Sequence, residues 1–220
     1  MKKPHVILNA AMTLDGKITT KARDSKISCP EDLKRVHRIR AEVDGVMVGI
    51  NTLLIDDPKL TTKLPGGKNP IRIIVDSRAR TPSSAQALTI DKNTETVIAM
   101  TEKAPKNRVK NLLKAGAKIA YAGKGRHVNL KTLMEKLWTM KIRTLLLEGG
   151  GTLNWNMLNE GLVDEVYVAV APMVVGGVKA VTLAEGEGVK CISEALKLEF
   201  TKMERFGEDI VLGYRVLHER

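Results

Sequence analysis

Seven short apolar runs, at residues 5–11, 45–50, 71–75, 96–100, 117–121, 143–147 and 165–171, are too short for helices and read as buried strands. Between several of them the apolar spacing switches to that of a helix. From Glu31 to Val43 it sets Leu33, Val36, Ile39 and Val43 on one face, and from Leu130 to Met140 it does the same with Leu130, Leu133, Met134, Leu137 and Trp138. Pro30, after Ser28 and Cys29, suits the first turn of the former helix, and Pro105 that of a further one through Leu112 and Leu113. Strands that alternate with helices return in the same direction, which predicts a largely parallel sheet. Aromatics make up only 3% of the chain, so aliphatic side chains must fill the core between such layers. The tail departs from this pattern. Residues 196–206 and 210–217 are two extended segments joined by Gly207-Glu208-Asp209, a hairpin signal that predicts an antiparallel edge. No repeat or linker interrupts residues 1–220, and a single domain is expected.

Chemistry is most legible where the run Thr144-Leu145-Leu146-Leu147-Glu148 breaks into Gly149, Gly150 and Gly151 and then a helix start at Thr152-Leu153-Asn154. Glycines there let bare backbone N–H groups approach an anion, so the segment can hold a phosphate; it can equally be a tight turn with no ligand. The formal charge of +11 favours anionic partners. It is spread along the chain without basic runs or interleaved aromatics, so no nucleic-acid partner is expected.

Other loops follow predicted strands. Asp15-Gly16 reads as a structural turn leaving Lys17 outward. After the second strand come Thr52, Asp56 and Asp57-Pro58; Asp56 can accept hydrogen bonds or do acid–base work, while Asp57 before proline is a turn former. Ser77, Arg78 and Arg80 end the third, where guanidiniums could read a ribose 2′-phosphate or simply be solvated. Gly123-Lys124-Gly125-Arg126-His127-Val128 has no third glycine in place and is not a dinucleotide fingerprint. None of the four histidines has metal-ligand spacing, so no metal is expected. Cys29 and Cys191 form no redox or disulfide pattern, and neither a leader segment nor a membrane-length apolar stretch is seen; a cytoplasmic protein with no membrane partner is expected.

Taken together, Met12-Thr13-Leu14-Asp15-Gly16-Lys17, Asp24-Ser25-Lys26-Ile27-Ser28, Val48-Gly49-Ile50-Asn51-Thr52 with Asp56-Asp57-Pro58-Lys59-Leu60-Thr61, Pro70-Ile71-Arg72-Ile73-Ile74-Val75-Asp76-Ser77, Leu147-Glu148-Gly149-Gly150-Gly151-Thr152-Leu153-Asn154, and Leu162-Val163-Asp164-Glu165 with Ala171-Pro172 resemble the reductases of riboflavin biosynthesis. The resemblance implies a dihydrofolate-reductase-like α/β fold, a mostly parallel central sheet flanked by helices with a C-terminal antiparallel hairpin. It implies NADPH as cofactor, a phosphorylated ribosylaminopyrimidine as substrate, hydride transfer to C1′ of the opened sugar, and a homodimer. Bacterial relatives add a zinc deaminase whose signature is missing here. By motif position, Thr52, Asp56, Ser77, Gly150, Gly151 and Thr152 would contact the cofactor, with Gly149 shaping the turn. Ser25, Arg40, Leu60, Lys63 and Glu148 would face the substrate, and Glu148 and Asp56 would carry protons. Lys63 stands where relatives often have arginine, and Ile27 where they have an aromatic. A deaminated pyrimidine or a dihydrofolate-like pterin is the alternative substrate. The strand around 166–170 would serve the dimer if it lies at an exposed edge.

Overall fold

The computed structural model describes residues 1–218. In chain order the elements are β1 (His5–Thr13), α1 (Pro30–Glu42), β2 (Gly45–Gly49), α2 (Ile50–Asp56), β3 (Ile71–Val75), α3 (Gln86–Thr89), β4 (Thr96–Met100), α4 (Lys106–Lys114), β5 (Lys118–Tyr121), α5 (Leu130–Thr139), β6 (Thr144–Leu147), α6 (Gly151–Asn159), β7 (Glu165–Ala171), β8 (Leu198–Phe206) and β9 (Asp209–Val216). They fall into two compact units, Met1–His5 with His37–Leu146, and Val6–Val36 with Leu147–Arg220.

In the first unit the strand order is β5-β4-β3-β2-β6, and β2, β3, β4 and β5 pair in parallel. Register aligns Val48, Ile74, Ile98 and Ile119 in one row across these strands. Helices cover such a sheet, which is why its strands are unbroken apolar runs rather than alternating ones. α4 buries Val109 and Leu112, and α5 buries Leu130, Leu133, Met134 and Leu137. Asn129 caps α5, its side chain accepting the amide of Thr132. Arg72 is the exception among the apolar strand residues. Its fully buried guanidinium donates from Nη1 to the carbonyls of Ala87, Asp91 and Thr94, and so fastens the turn after α3 to the sheet.

In the second unit the order is β1-β7-β9-β8, with β1 and β7 parallel and β7–β9 and β9–β8 antiparallel. The hairpin turns at Gly207, whose φ of 59° suits glycine. Two expectations change here. β7 is paired on both sides, with Val166 and Val168 buried, so it is no exposed edge; the outermost strand is β8, exposed along almost its whole length. On α1, Leu33 is 51% exposed, whereas Asp32 and Arg35 are buried. Arg35 donates from Nε to Asp32 and from Nη2 to Asn9 of β1, both at 2.7 Å, and its guanidinium lies over the Phe206 ring. A satisfied ion pair therefore occupies the inward face that apolar periodicity assigned to leucine. Cys29 ties the start of the helix to the hairpin, its amide donating to Asp209 and its thiol to the carbonyl of Phe206.

Candidate active site

Parallel strands place their carboxyl ends on one edge, and in the first unit that edge gathers the loops after β2, β3, β4 and β5. After β2, Gly49 leads directly into α2, where Thr52 is half-buried and Asp56 exposed in the last turn. Asp57 ends α2 at φ 38°, takes the amide of Gln86 on its carboxylate and the side-chain amide of Gln86 on its carbonyl. It is a joint between α2 and α3, in keeping with the turn role read from the sequence.

After β3 the chain wraps around the buried carboxylate of Asp76, which accepts the Thr81 amide at 2.7 Å, the Thr81 hydroxyl at 2.8 Å and the Arg78 amide at 3.4 Å. Ala79 is driven to φ 53° by this wrapping. Ser77, Arg78 and Arg80 are displayed on the outside. Arg80 donates to Asn51 Oδ1 and so links the loop after β3 to the first turn of α2, while Arg78 is exposed. The Ser77 hydroxyl accepts the amide of Val128 at 3.1 Å, and the Ser77 carbonyl accepts the amide and hydroxyl of Thr101. Ser77 is thus a meeting point of three loops, and its hydroxyl retains a proton to donate.

Also in this unit, Arg40 donates from Nη1 to the carbonyl of Thr61 at 3.0 Å, and Thr62 donates from its hydroxyl to the carbonyl of His37 and from its amide to Asn69. These bonds shape the loop that carries Leu60 and Lys63. Leu60 is buried at φ 53°, whereas Lys63 is exposed. Asn69 in turn donates to Asp91, whose carboxylate is held down at about 2 by the Thr94 hydroxyl, the Asn69 amide and the Asn93 amide.

In the second unit Ser25 is exposed and its carbonyl accepts the amide of Ile27, which is buried in the core. Glu148 is half-buried after β6. Gly149 follows at φ 84°, a cis peptide joins it to Gly150, and Gly150 is the N-cap of α6 with no side chain capping the helix. The first amides of α6 have no intrahelical acceptor by geometry, so this end is open to an anion. A Cβ on Gly151 would stand 2.6 Å from the carbonyl oxygen of Thr182, so residues 181–185 reach the helix start only because glycine is there. Glu185, whose side chain packs against Gly151, spends Oε1 on the amide of Thr182 and donates its own amide to the carbonyl of Gly151. Asn154 donates to the carbonyl of Leu183, and its buried Oδ1 has no partner among the described residues.

The Asp15 turn is an anchor rather than a plain hairpin corner. Its carboxylate accepts the Thr13 hydroxyl and the amides of Val175 and Gly176, which hold it at about 2. Among the described residues no cluster of three or more His, Cys, Asp and Glu side chains stands ready for a metal ion, and no helix is long and apolar enough to cross a membrane.

The sequence model of the RibD C-terminal domain family matches residues 4–212, across both units. The chain belongs to the RibD C-terminal domain family. It is 50% identical, over 97% of its length and 99% of the other's, to the 2,5-diamino-6-ribosylamino-4(3H)-pyrimidinone 5′-phosphate reductase of Methanothermobacter thermautotrophicus, and 39% identical to the protein of that name from Archaeoglobus fulgidus. It is 38% identical to the riboflavin biosynthesis protein RibD of Actinobacillus pleuropneumoniae, of which it spans 58%. Among solved structures, RibD of Acinetobacter baumannii superposes with a TM-score of 0.84 at 25% identity, the match covering 98% of this chain and 58% of that one. The riboflavin biosynthesis reductase Rib7 of Saccharomyces cerevisiae shares the fold, with a TM-score of 0.75 at 21% identity over 98% of this chain and 90% of that one. As a member of this family of reductases the chain is an oxidoreductase, and the family implies a nicotinamide cofactor. The dihydrofolate-reductase-like architecture read from the motifs is the one found.

Proposed function

We propose that this chain, acting as one reductase domain, reduces the ribosyl group of 2,5-diamino-6-ribosylamino-4(3H)-pyrimidinone 5′-phosphate to a ribityl group with NADPH. The observation that carries this reading is 50% identity to the Methanothermobacter reductase along almost the whole of both chains. The glycine start of α6 supports it independently, since it offers main-chain donors that no side chain caps. When bound, NADPH supplies a hydride to C1′ of the ring-opened sugar imine. Thr52, Asp56, Ser77, Arg78, Arg80, Gly149, Gly150, Gly151 and Thr152 are the residues assigned to hold it.

Ser25, Arg40, Leu60, Lys63 and Glu148 are assigned to the substrate. Arg40 has its direction fixed by the Thr61 carbonyl, and Lys63 contributes a point charge without the fork of arginine; both suit the 5′-phosphate. Reducing an imine consumes a proton, and Glu148 and Asp56 are the carboxylates assigned to deliver or relay it. A homodimer is part of the proposal. Its support has moved from β7 to β8, where Phe200 and Met203 are exposed beside Glu199, Lys202, Glu204 and Arg205.

The test is oxidation of NADPH, followed by its absorbance, with the diamino substrate, its deaminated counterpart and dihydrofolate offered separately. Turnover with the diamino compound alone is expected, and turnover only with another compound would reject the assignment. Glu148→Gln is expected to lower turnover about 100-fold or more while leaving the Kd for NADPH within about two-fold. Near-normal turnover in that variant would remove Glu148 from the proton path.

A further inference from the structure

The loop after β5, residues 122–129, is held firmly at its base. The amide of Asn129 donates to the carbonyl of Ala122 at 2.8 Å, that of Glu102 to Gly123 at 3.1 Å, and that of Val128 to the Ser77 hydroxyl at 3.1 Å. The loop is thereby tied both to the loop after β4 and to the one after β3. Gly123 has φ 113°, and a Cβ there would lie 3.3 Å from the amide nitrogen of Asn129, so the closure depends on glycine.

The tip is built differently. Lys124, Gly125, Arg126 and His127 are exposed, and nothing lies within 4 Å of where a Cβ on Gly125 would be. The side chains of Lys124, Arg126 and Arg78 have no hydrogen-bond or ion-pair partner among the described residues. Of the carboxylates on these loops, Asp76 is buried and occupied by Thr81, and Glu102 belongs to the loop after β4. Adjacent strands lie about 4.8 Å apart, so the ends of β3 and β5 stand roughly 10 Å apart across β4, a span that long basic side chains bridge. Basic side chains carried on two loops that are tied together at Ser77 fit a compact dianion, and a phosphate monoester provides nearly two charges and three acceptors at neutral pH.

We propose that Lys124 and Arg126, with Arg78, hold the phosphate esterified to the adenosine ribose of the reduced coenzyme, and so set the preference for NADPH over NADH. This rests on the reading above that Ser77 lies at the cofactor. A tied base and an unpacked cationic tip are what such a reader needs, since the base fixes position and the tip keeps its donors free for the ligand.

The experiment compares the intact protein with the Lys124→Ser/Arg126→Ser double variant in titrations with NADPH, NADH, adenosine 2′,5′-bisphosphate and adenosine 5′-monophosphate. The Kd for NADPH and for the bisphosphate is expected to rise about 10-fold or more, with NADH and the monophosphate changing less than about two-fold. Unchanged NADPH affinity in the variant, or equal weakening of all four ligands, would overturn the proposal while leaving the cofactor reading intact. Failure of the unaltered protein to bind either dinucleotide saturably would overturn both.

Discussion

Replacing Gly151 by alanine sets backbone propensity against space at the start of α6. Its φ is outside the left-handed region, so on propensity alone alanine would stabilise the helix by up to about 1 kcal/mol. Space opposes this: a Cβ would meet the Thr182 carbonyl oxygen at 2.6 Å, Glu185 Cγ at 3.1 Å and Val181 Cγ1 at 3.2 Å. The closest of these is backbone, and the Glu185 amide is bonded to the Gly151 carbonyl at 3.0 Å, so residues 182–185 cannot retreat without losing that bond. An ordinary carbon–oxygen contact of about 3.3 Å needs a displacement of roughly 0.7 Å. Forcing an extra carbon into packed surroundings costs about 1–3 kcal/mol. Set against the full propensity gain, the net loss is about 0–2 kcal/mol, and its centre near 1 kcal/mol is a fall in Tm of roughly 2–4 °C for a chain of this size. Thermal unfolding of Gly151→Ala measures it, together with NADPH titration, because the same shift would move the first amides of the helix. A Tm above that of the unaltered protein would refute the reasoning.

Arg72→Met leaves the buried carbonyl of Ala87 and the half-buried carbonyls of Asp91 and Thr94 without this donor and removes the ion-pair partner of Asp91, so denaturant unfolding should show a loss of about 1–3 kcal/mol; a loss under about 0.5 kcal/mol would show that the clamp contributes little. Asp91 and Asp15 are both held at about 2, below the usual 3.8, by hydroxyl and amide donors made only in the folded chain. The unfolded chain binds more protons between these values, so stability should be fully present above about pH 4 and be lost as pH falls towards 2. Tm followed against pH tests this, and Asp91→Asn should flatten the slope; an equally steep slope in that variant would assign the acid sensitivity elsewhere.

The parallel strands were legible because both faces of the sheet are covered, which leaves runs such as Gly45–Gly49 and Thr144–Leu147 almost wholly apolar. The hairpin was legible from glycine at its turn. Apolar periodicity misplaced the inward face of α1 because it gives no weight to charges, and Arg35 is buried through Asp32, Asn9 and Phe206, residues as far as 171 positions away in the numbering from Arg35 to Phe206. The same limit hid Arg72, which reads as a lapse in a strand until the carbonyls of three later residues are brought to it. Of the site, the glycine junction and the loop after β3 could be read locally, since glycine signals close approach and strand ends face ligands. That Asp76 folds inward to shape its loop, and that Val128 bonds to Ser77, depends on pairing between strands, which no local pattern carries.

Backbone amide chemical shifts recorded as NADPH is added to the uniformly labelled protein test the proposed grip on the diphosphate most directly. The account predicts saturable binding with the largest shifts at Gly150, Gly151, Thr152 and Leu153. Saturable binding that leaves those four amides unmoved would contradict it.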